Sequence, residues 1–396
     1  MNRKILALIL TGIISFLLIT GCSSQTESAG GTDAEKTQES AQEETATVLP
    51  ADAKIGIAYT EGSGEFTSFF IVKAMSNLVA AGVPEGNIEK IGGSGEELAA
   101  NAQKLIDSQC SALMIGNANE ENAPGITDAA VKANIPVVYF GTSPGEAEIA
   151  RWEKEGLRAA YAGSSYDQSA EKRADLIDSA DMEKIDLNED GEIGFVVLYS
   201  GEDKAGDQVN RDTVRILEER GTAVYELTQD DEEEASEEES EEAEETVEEE
   251  ADTYDETARE NAREQVIEWM TDYGKQLEVI ICADDMQALG AWDAVSEEKK
   301  RVGHDVLIMG FDSNTESLEE VAAGNIRSSF FNDFMEQSKN ASDAVLAYLK
   351  GIEVQRCAMS EYVSVTVDNA QEILDISMKT QENDPDSDTE ENTEEE

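Results

Sequence analysis

The stretch DLNEDGEIGF contains the residues whose types and spacing most clearly indicate chemistry. Asp186, Asn188 and Asp190 occupy the first, third and fifth positions of a D-x-N-x-D-G calcium loop, and Glu192 would contribute its main-chain carbonyl. An EF-hand also needs a bidentate acid at the twelfth position, which here is Val197, so this is not an EF-hand. The residues alone leave two interpretations open: a calcium loop of another kind, or an ordinary turn stabilised by Asx side chains.

Residues for nucleophilic or zinc chemistry are scarce in this chain. His304 is the single histidine and has no partner cluster. Cys110 and Cys282 lie beside apolar runs, as buried thiols do, and Cys357 leaves an odd number in an oxidising compartment. We find no Ser/His/Asp or Cys/His constellation from which a nucleophile could be built, so we expect no enzyme activity.

The N-terminus has the pattern of an export signal. Arg3 and Lys4 precede an apolar run from Ile5 to Ile19, which is too short for a comfortable membrane span. The run ends in LITGC, which resembles the lipobox of bacterial lipoproteins. We therefore expect residues 1–21 to be a signal peptide and Cys22 to carry a lipid anchor, with the folded part outside the cytoplasm.

The charge distribution excludes several classes of partner. A net charge of -59 argues against nucleic acid and against anionic lipid as partners. Residues 230–252 and 379–396 are so acidic that we expect a solvated, disordered insertion and a disordered tail. Residues 22–50 are rich in small and polar side chains and read as a flexible tether.

From Ala53 onward, short β-branched runs alternate with stretches typical of amphipathic helices. The sequence predicts strands in KIGIAY, SALMIG, IPVVYF, IGFVVLYS, AVYEL, LEVIICA and VLIMGF, with helices from about Phe66 and about Glu120. Strands this apolar between helices indicate an α/β fold whose parallel sheets are covered on both faces. About 330 residues exceed one comfortable core, so two lobes are expected, with a ligand at the carboxyl ends of the strands.

Seven stretches resemble one known family. In chain order they are ADAKIGIAY, SALMIGNANEENAPGITDAAVKANIPVVYF, YAGSSYDQSAEKRADLI, DLNEDGEIGFVVLYSGEDKAGDQVNRD, LEVIICADDMQALGAWDAV, VLIMGFDS and SSFFND. Together they look like the type I periplasmic sugar-binding proteins of ABC importers, most closely the galactose- and glucose-binding members. The resemblance implies two Rossmann-like lobes joined by a three-strand hinge. Residues 51–162 with 332–365 would form the N-terminal lobe, and residues 163–331 with 366–378 the C-terminal lobe.

The resemblance also implies a sugar site. Phe66 and Tyr254 match the two aromatic residues that stack on opposite faces of a sugar ring. The remaining contacts implied at the rim are polar: Asn117, Asp207, Arg211, Asp284, Asp312 and Asn332. Asp207 and Arg211 also stand four residues apart at a helix start, which would put both on one face.

Three departures from the family pattern bear on which sugar is bound. Gly64, Gly116 and Ala205 stand where the galactose- and glucose-binding members carry polar contacts. An unpaired buried hydroxyl is costly, so these losses change the hydroxyl pattern that the site can satisfy. A monosaccharide or close relative is therefore the expectation, rather than galactose or glucose specifically.

For the calcium loop, the resemblance supplies a further ligand. In the galactose- and glucose-binding members a nine-residue loop is completed by a glutamate from a distant strand, and Glu278 stands at that position. Gly194 replaces the ninth-position side chain. The resemblance thus implies a structural calcium site formed by Asp186, Asn188, Asp190, Glu192 and Glu278.

We expect an extracytoplasmic, lipid-anchored, monomeric binding protein whose partners are a monosaccharide and the ABC permease of a sugar importer. The alternative is a lipoprotein of the same fold that reports sugar to a membrane receptor or kinase. A sugar-responsive DNA-binding repressor shares the core, but the export signal and the lack of a basic helix-turn-helix before Ala51 exclude it. A glycosidase would need a carboxyl pair at a set separation, and available carboxylates such as Asp207 and Asp312 serve equally as hydrogen-bond acceptors.

Overall fold

The computed structural model describes residues 48–61, 64–201, 205–227, 247–297 and 306–383, with backbone alone at residue 64 and at residues 247–255. The predictions for the signal peptide, the lipidated Cys22, residues 22–47 of the tether, most of the acidic insertion and most of the tail lie outside these ranges. Within them, no helix is both long enough and apolar enough to cross a membrane.

Strands and helices alternate along the described chain. The strands are β1 (Ile55–Thr60), β2 (Ile88–Gly93), β3 (Ala112–Gly116), β4 (Val137–Phe140), β5 (Ala159–Ser165), β6 (Ile193–Leu198), β7 (Val224–Glu226), β8 (Val279–Cys282), β9 (Leu307–Met309), β10 (Ser329–Phe331), β11 (Cys357–Glu361) and β12 (Val363–Val365). The helices are α1 (Gly64–Ala80), α2 (Leu98–Asp107), α3 (Ala123–Ala133), α4 (Glu146–Glu155), α5 (Ser169–Asp178), α6 (Met182–Ile185), α7 (Ala205–Arg220), α8 (Val247–Asp272), α9 (Asp285–Glu297), α10 (Thr315–Ala323), α11 (Phe334–Leu349) and α12 (Ala370–Gln381).

These strands form two parallel sheets and one small antiparallel pair. The first sheet has the order β11-β5-β4-β3-β1-β2 and the second the order β7-β6-β8-β9, with every pairing parallel. Strands β10 and β12 pair antiparallel. The predicted α/β fold with parallel sheets in two lobes is therefore confirmed.

The chain passes between the two sheets three times. After β5 it leaves the first sheet and enters α5, which packs on α7 of the second lobe. After β10 it returns through α11, which packs on β4, β5 and α1. After β11 it continues through β12 into α12, which packs on α10. The β10–β12 pairing joins the second and third passages, so the predicted three-strand hinge is present.

Burial explains why the predicted strands form. Every residue of β3 and of β6 is buried, as expected for central strands covered on both faces. Helix α2 buries Leu98, Ala102 and Leu105 on one side, at helical spacing. Helices α3 and α4 are followed by Asn134 and Gly156, both in the left-handed conformation that commonly closes a helix.

The sequence did not predict β2, β5, β10, β11 and β12. Strand β5 reads AAYAGSS, and its small residues carry a weak strand signal although its first five are buried. Strands β2 and β11 lie at the edges of the first sheet and are largely half-buried or exposed, so their sequences lack a continuous apolar run.

Two predicted disordered segments partly form helix. Helix α8 begins at Val247, inside the acidic insertion predicted at residues 230–252. Acidic side chains favour the positive end of a helix dipole, which explains how an acidic run can extend the helix N-terminally. Helix α12 likewise runs to Gln381, three residues into the predicted tail.

Candidate functional site

A cleft of about 730 Å³ opens at the carboxyl ends of the strands of the first sheet, where ligands bind in open α/β folds. It brings together four predicted contact residues, which are Phe66, Asn117, Asp312 and Asn332. Aromatic rings, hydroxyls and amides dominate its lining. The lining residues are Phe66, Thr67, Asn117, Gly141, Thr142, Ser143, Ile149, Tyr161, Ser164, Tyr166, Ala205, Asp312, Asn332, Gln337, Cys357, Met359 and Tyr362.

An aromatic stack supports Phe66 at one end of the cleft. Its ring centroid lies 6.0 Å from that of Phe70, which stacks on Phe140 at 3.9 Å with an interplanar angle of 8°. A side chain at Gly116 would meet the Phe140 ring at 2.5 Å. The stack therefore requires glycine at this position, which explains the loss of one polar contact expected from the family.

The side-chain amide of Asn117, which follows β3, is hydrogen-bonded to α1 and to the loop after β4. Its Nδ2 donates to Thr67 Oγ1 at 3.0 Å, and its Oδ1 accepts from Thr142 N at 3.2 Å. A side chain at Gly141, whose φ is +72°, would collide with that oxygen at 2.2 Å. Asn117 is thus held rigidly by protein groups while it lines the cleft, and its own φ of 58° is one that asparagine tolerates.

The opposite wall carries Asp312 beside the hinge. Its backbone has a φ of 95°, and its N–H donates to Phe330 O at 3.0 Å. Non-glycine residues with such backbone strain cluster at functional sites. Its carboxylate adds to the effect of burial in raising the pKa of Tyr362, whose ring stacks on Phe311 at 4.8 Å.

Asn332 lies where the second passage leaves β10. Its Oδ1 accepts from Nε2 of the buried Gln337 at 2.6 Å. This bond orients the amide, so that its NH2 group is the part left for a ligand in the cleft.

The structure does not place Asp207 and Arg211 in the cleft lining. Asp207 is 1% exposed, and its two oxygens accept from Ser200 N and Ser200 Oγ, both at 2.7 Å. Arg211 is exposed on α7. The predicted rim pair is therefore absent from the described lining, because the acid instead binds Ser200 just past β6.

Two further predicted contact residues, Asp284 and Tyr254, are not among the described lining residues of the cleft. Asp284 is half-buried outside the lining, and its Oδ1 accepts from Gln287 N at 2.8 Å at the start of α9. The side chain of Tyr254, on α8, lies outside the described side chains.

Several lining residues were missed by sequence reasoning. Thr142 and Ser143 follow β4 directly, so the rule that residues past a strand face the cleft could have found them. Tyr161, Ser164 and Tyr166 belong to β5 or follow it, and that strand was not predicted. The hydroxyl of Tyr161 donates to Gly141 O at 2.7 Å, which fixes its ring at the cleft.

A direct bridge joins the two lobes beside the cleft. Glu65, on α1 next to Phe66, accepts through Oε2 from Thr315 N at 2.9 Å and from Thr315 Oγ1 at 2.8 Å. Thr315 is the first residue of α10 in the second lobe. The carboxylate thus lies at a helix N-terminus, where negative charge is favoured.

Behind Asp312, a buried acid anchors the same segment. Asp285 accepts from Ser329 Oγ at 2.7 Å, from Asn314 N at 3.1 Å and from Ser317 Oγ. Burial raises the pKa of Asp285 to about 7, while the two serine hydroxyls act in the opposite direction. This acid therefore connects α9 with α10 and with the hinge strand β10.

The predicted calcium loop is closed by its own hydrogen bonds. Asp186 accepts from Asp190 N at 3.2 Å and from Gly191 N at 2.9 Å, and Asp190 accepts from Glu192 N at 2.9 Å. Asn188 donates to Asp190 Oδ2 at 2.7 Å. These bonds form the Asx-stabilised turn that was one of the two interpretations.

Glu278 connects this loop to the second sheet. It is fully buried, and its oxygens accept from Leu187 N at 2.6 Å and from Gly194 N at 2.8 Å. A side chain at Gly194 would meet Gln276 O at 1.9 Å, so a ninth-position ligand has no room there. Among the described residues no group of three acids, histidines or cysteines is arranged to hold a metal ion, so calcium binding stays a prediction.

Comparison with known proteins settles the family. Residues 55–353 match the model of the periplasmic binding protein domain. The chain belongs to the periplasmic binding protein family. Membership agrees with the predicted two-lobed fold, with binding rather than catalysis and with a location outside the cytoplasm.

The relatives show how far the likeness extends. A D-galactose/methyl-galactoside binding periplasmic protein from Haemophilus influenzae is 29% identical over 238 residues, 59% of this chain. The aligned part spans 63% of that relative, less than two thirds of its length.

Two solved structures share the fold. An ABC transporter periplasmic solute binding protein from Actinobacillus succinogenes with bound D-allose has a TM-score of 0.58 and 16% identity, over 81% of this chain and 99% of its own. An ABC transporter solute binding protein from Bacillus halodurans with bound myo-inositol has a TM-score of 0.54 and 17% identity, over 82% of this chain and 98% of its own.

Proposed function

We propose that this protein captures a monosaccharide outside the cytoplasm, as a monomer, and delivers it to the permease of an ABC importer. The observation that carries the proposal is the cleft at the strand ends, where Phe66 offers an aromatic face beside polar groups. A pyranose presents apolar C–H faces and a belt of hydroxyls, so it needs both kinds of surface. The galactose- and galactoside-binding relative supports the same ligand class.

The lining favours binding over hydrolysis. Among the described residues, Asp312 is the only cleft-lining residue that carries a carboxylate. Glycosidases require two carboxyl groups on either side of the scissile bond. A single acid instead serves as a hydrogen-bond acceptor for one or two hydroxyls, alongside the oriented amides of Asn117 and Asn332.

The walls of the cleft support a proposal about which sugar is bound. The Phe70–Phe140 stack fills the space beside Gly116, and Ala205 contributes only a methyl group to the lining. Hydroxyls from Thr142, Ser143 and Ser164 instead surround the cleft. We propose a galactose- or glucose-like hexose whose hydroxyls are read in part by this alternative set.

Isothermal titration of the mature domain tests the proposal. The panel contains D-galactose, D-glucose, D-allose, D-ribose, L-arabinose and myo-inositol. One saturable tight binder with one site per chain is expected. If none of the pentoses, hexoses or their methyl glycosides binds, the sugar assignment is wrong.

The lipid anchor at Cys22 is a separate part of the proposal, supported by the residues LITGC that end the apolar run. Metabolic labelling with a fatty acid should mark the full-length chain, and Cys22→Ser should abolish both the label and membrane retention. An unlabelled, membrane-released wild-type chain would exclude the anchor.

We also propose that calcium binds the loop formed by Asp186, Asn188, Asp190 and Glu192 together with Glu278. The donor set consists of oxygens, which calcium prefers. Burial and the charge of Asp186 raise the pKa of Glu278, and no lysine or arginine of the described chain forms an ion pair with it. A divalent cation would relieve this concentration of negative charge and stabilise the link between β6 and β8.

A further inference from the structure

The lining of the cleft continues well beyond Phe66 and Asn117. Its lining follows the carboxyl edge of the first sheet across β1, β3, β4, β5 and β11, which are consecutive neighbours. Four steps between strands span about 19 Å at the usual spacing. Phe66 and Asn117 occupy the β1–β3 end, so the β4–β5–β11 end offers room beyond one sugar ring.

That far end has a distinct chemical character. Ile149, Tyr161, Cys357 and Met359, which we call the apolar annex, line the same cleft. In the register of β11 and β5, Cys357 pairs with Tyr161 and Met359 pairs with Gly163. These four strand residues therefore lie on one face of the sheet. Ile149 approaches from α4 above them.

The ring of Tyr161 forms the floor of the annex. A side chain at Gly163 would meet this ring at 2.2 Å, so the glycine lets the ring lie flat along β5. The ring is 7% exposed, and its hydroxyl is bound to Gly141 O at 2.7 Å. The floor is therefore rigid, and its single polar side-chain atom is already bonded to the protein.

The wall of the annex is open to solvent. Met359 is 45% exposed although its neighbours in the annex are buried or half-buried. Thr142 and Ser143 lie between the annex and Asn117, so polar groups proposed to contact the sugar border the annex. A ligand that fills both parts needs a hydroxylated ring at one end and an apolar group at the other.

We propose that the annex binds the apolar aglycone of a glycoside whose sugar ring lies between Phe66 and Asp312. This inference rests on the proposed sugar-binding function and specifies its substrate class. The flat Tyr161 floor and the flexible thioether of Met359 suit an aryl group, since aromatic rings stack on rings and contact sulfur favourably. The continuity of the annex with the cleft makes a single ligand the occupant.

Titration of free sugars against their glycosides tests the inference. The probes are D-galactose, D-glucose, D-ribose and L-arabinose, each with its methyl and phenyl glycosides in both anomers. For the sugar that binds, one phenyl anomer should bind at least about tenfold more tightly than the corresponding methyl glycoside, as expected from burying an aromatic ring.

Two matched variants assign the gain to the annex. Met359→Ser should weaken binding of the phenyl glycoside and reduce its preference over the methyl glycoside below about threefold. Met378→Ser is the control, because Met378 is also 45% exposed but lies on α12 outside the cleft. It should change neither value.

The outcomes separate the two proposals. A free sugar that binds without any preference for a phenyl glycoside overturns the annex and leaves the proposed function standing. If Met359→Ser keeps the wild-type preference for the phenyl over the methyl glycoside, the proposal that the annex binds the aglycone is wrong. If no free sugar and no glycoside binds, the proposed function is wrong and the annex falls with it.

Discussion

The bridge between Glu65 and Thr315 should control how readily the two lobes close. Its two hydrogen bonds connect α1 in the first lobe with α10 in the second, directly beside Phe66. Replacing Glu65 by Ala removes both bonds. It also removes a negative charge from the N-terminus of α10, where such a charge is favourable.

The magnitude follows from the exposure of this pair. Hydrogen bonds to charged groups contribute about 1.5–3 kcal/mol when shielded, but exposed charged contacts contribute at most about 1 kcal/mol. Glu65 is exposed, so we assign about 1 kcal/mol to both bonds together, or about fivefold in the closing equilibrium. If binding requires closure, the affinity of the Glu65→Ala variant falls by up to that factor.

The assay combines titration with stopped-flow measurement of ligand release and small-angle scattering of the ligand-free domain. Glu65→Ala should weaken binding by about fivefold, mainly through faster release, and shift the ligand-free scattering towards an open form. Thr315→Val removes the side-chain donor but keeps the backbone donor. Its loss of binding free energy should therefore be about half of that in Glu65→Ala. Glu319→Ala removes an exposed acid elsewhere on α10 and serves as the control. Unchanged affinity, release and scattering in Glu65→Ala would refute the reasoning.

The remaining predictions concern the sugar face, the calcium loop and the buried acid. Phe66→Ala should weaken sugar binding about tenfold or more, because stacking is lost. The melting temperature should stay within about 3 °C of the wild-type value, because the ring is partly exposed. An affinity equal to that of the wild type would contradict a stacking role. Calcium but not magnesium should raise the melting temperature of the wild-type domain, and Asp190→Asn should remove that rise; no response to calcium or to a chelator would exclude the site. The pKa of Asp285 is higher in the folded than in the unfolded state, so its contribution to the free energy of unfolding decreases as the pH rises from about 4 to about 7. Chemical denaturation of Asp285→Asn should therefore show a free energy of unfolding that depends less on pH over this window than that of the wild type. Identical slopes would contradict the assignment.

Every strand of the second sheet could be predicted from the sequence, whereas in the first sheet the edge strands β2 and β11 and the interior strand β5 could not. Central strands such as β3 and β6 are buried throughout, so their composition alone identifies them. Strand β5 has a weak strand signal because all its residues except Tyr161 are small, and glycine at position 163 leaves room for the Tyr161 ring. Pairing with β4 on one side and β11 on the other holds β5 in the sheet, and its own residue types carry little sign of that pairing.

The sequence likewise predicted some residues of the candidate site and misplaced others. Phe66, Asn117 and Asp312 follow recognisable strands, and the structure brings them to one cleft. Asp207 also follows a strand, but it turns inward to bind Ser200. Spacing of four residues places two side chains on one side of a helix without stating whether that side faces the cleft or the turn beneath it.

The proposed sugar site differs from the family pattern in where its polar side chains lie along the sheet edge. At the β3 position, the Phe140 ring occupies the space where a polar side chain would stand, because it stacks on Phe70 and supports Phe66. In the proposed site, aromatic support behind Phe66 thus takes the place of one polar side chain. The hydroxyls that remain, those of Thr142, Ser143 and Ser164, lie towards β4 and β5, next to the annex. A ligand held by these groups is therefore drawn towards Tyr161 and Met359, which is why a substituent on the sugar, rather than the sugar ring alone, is expected to decide affinity.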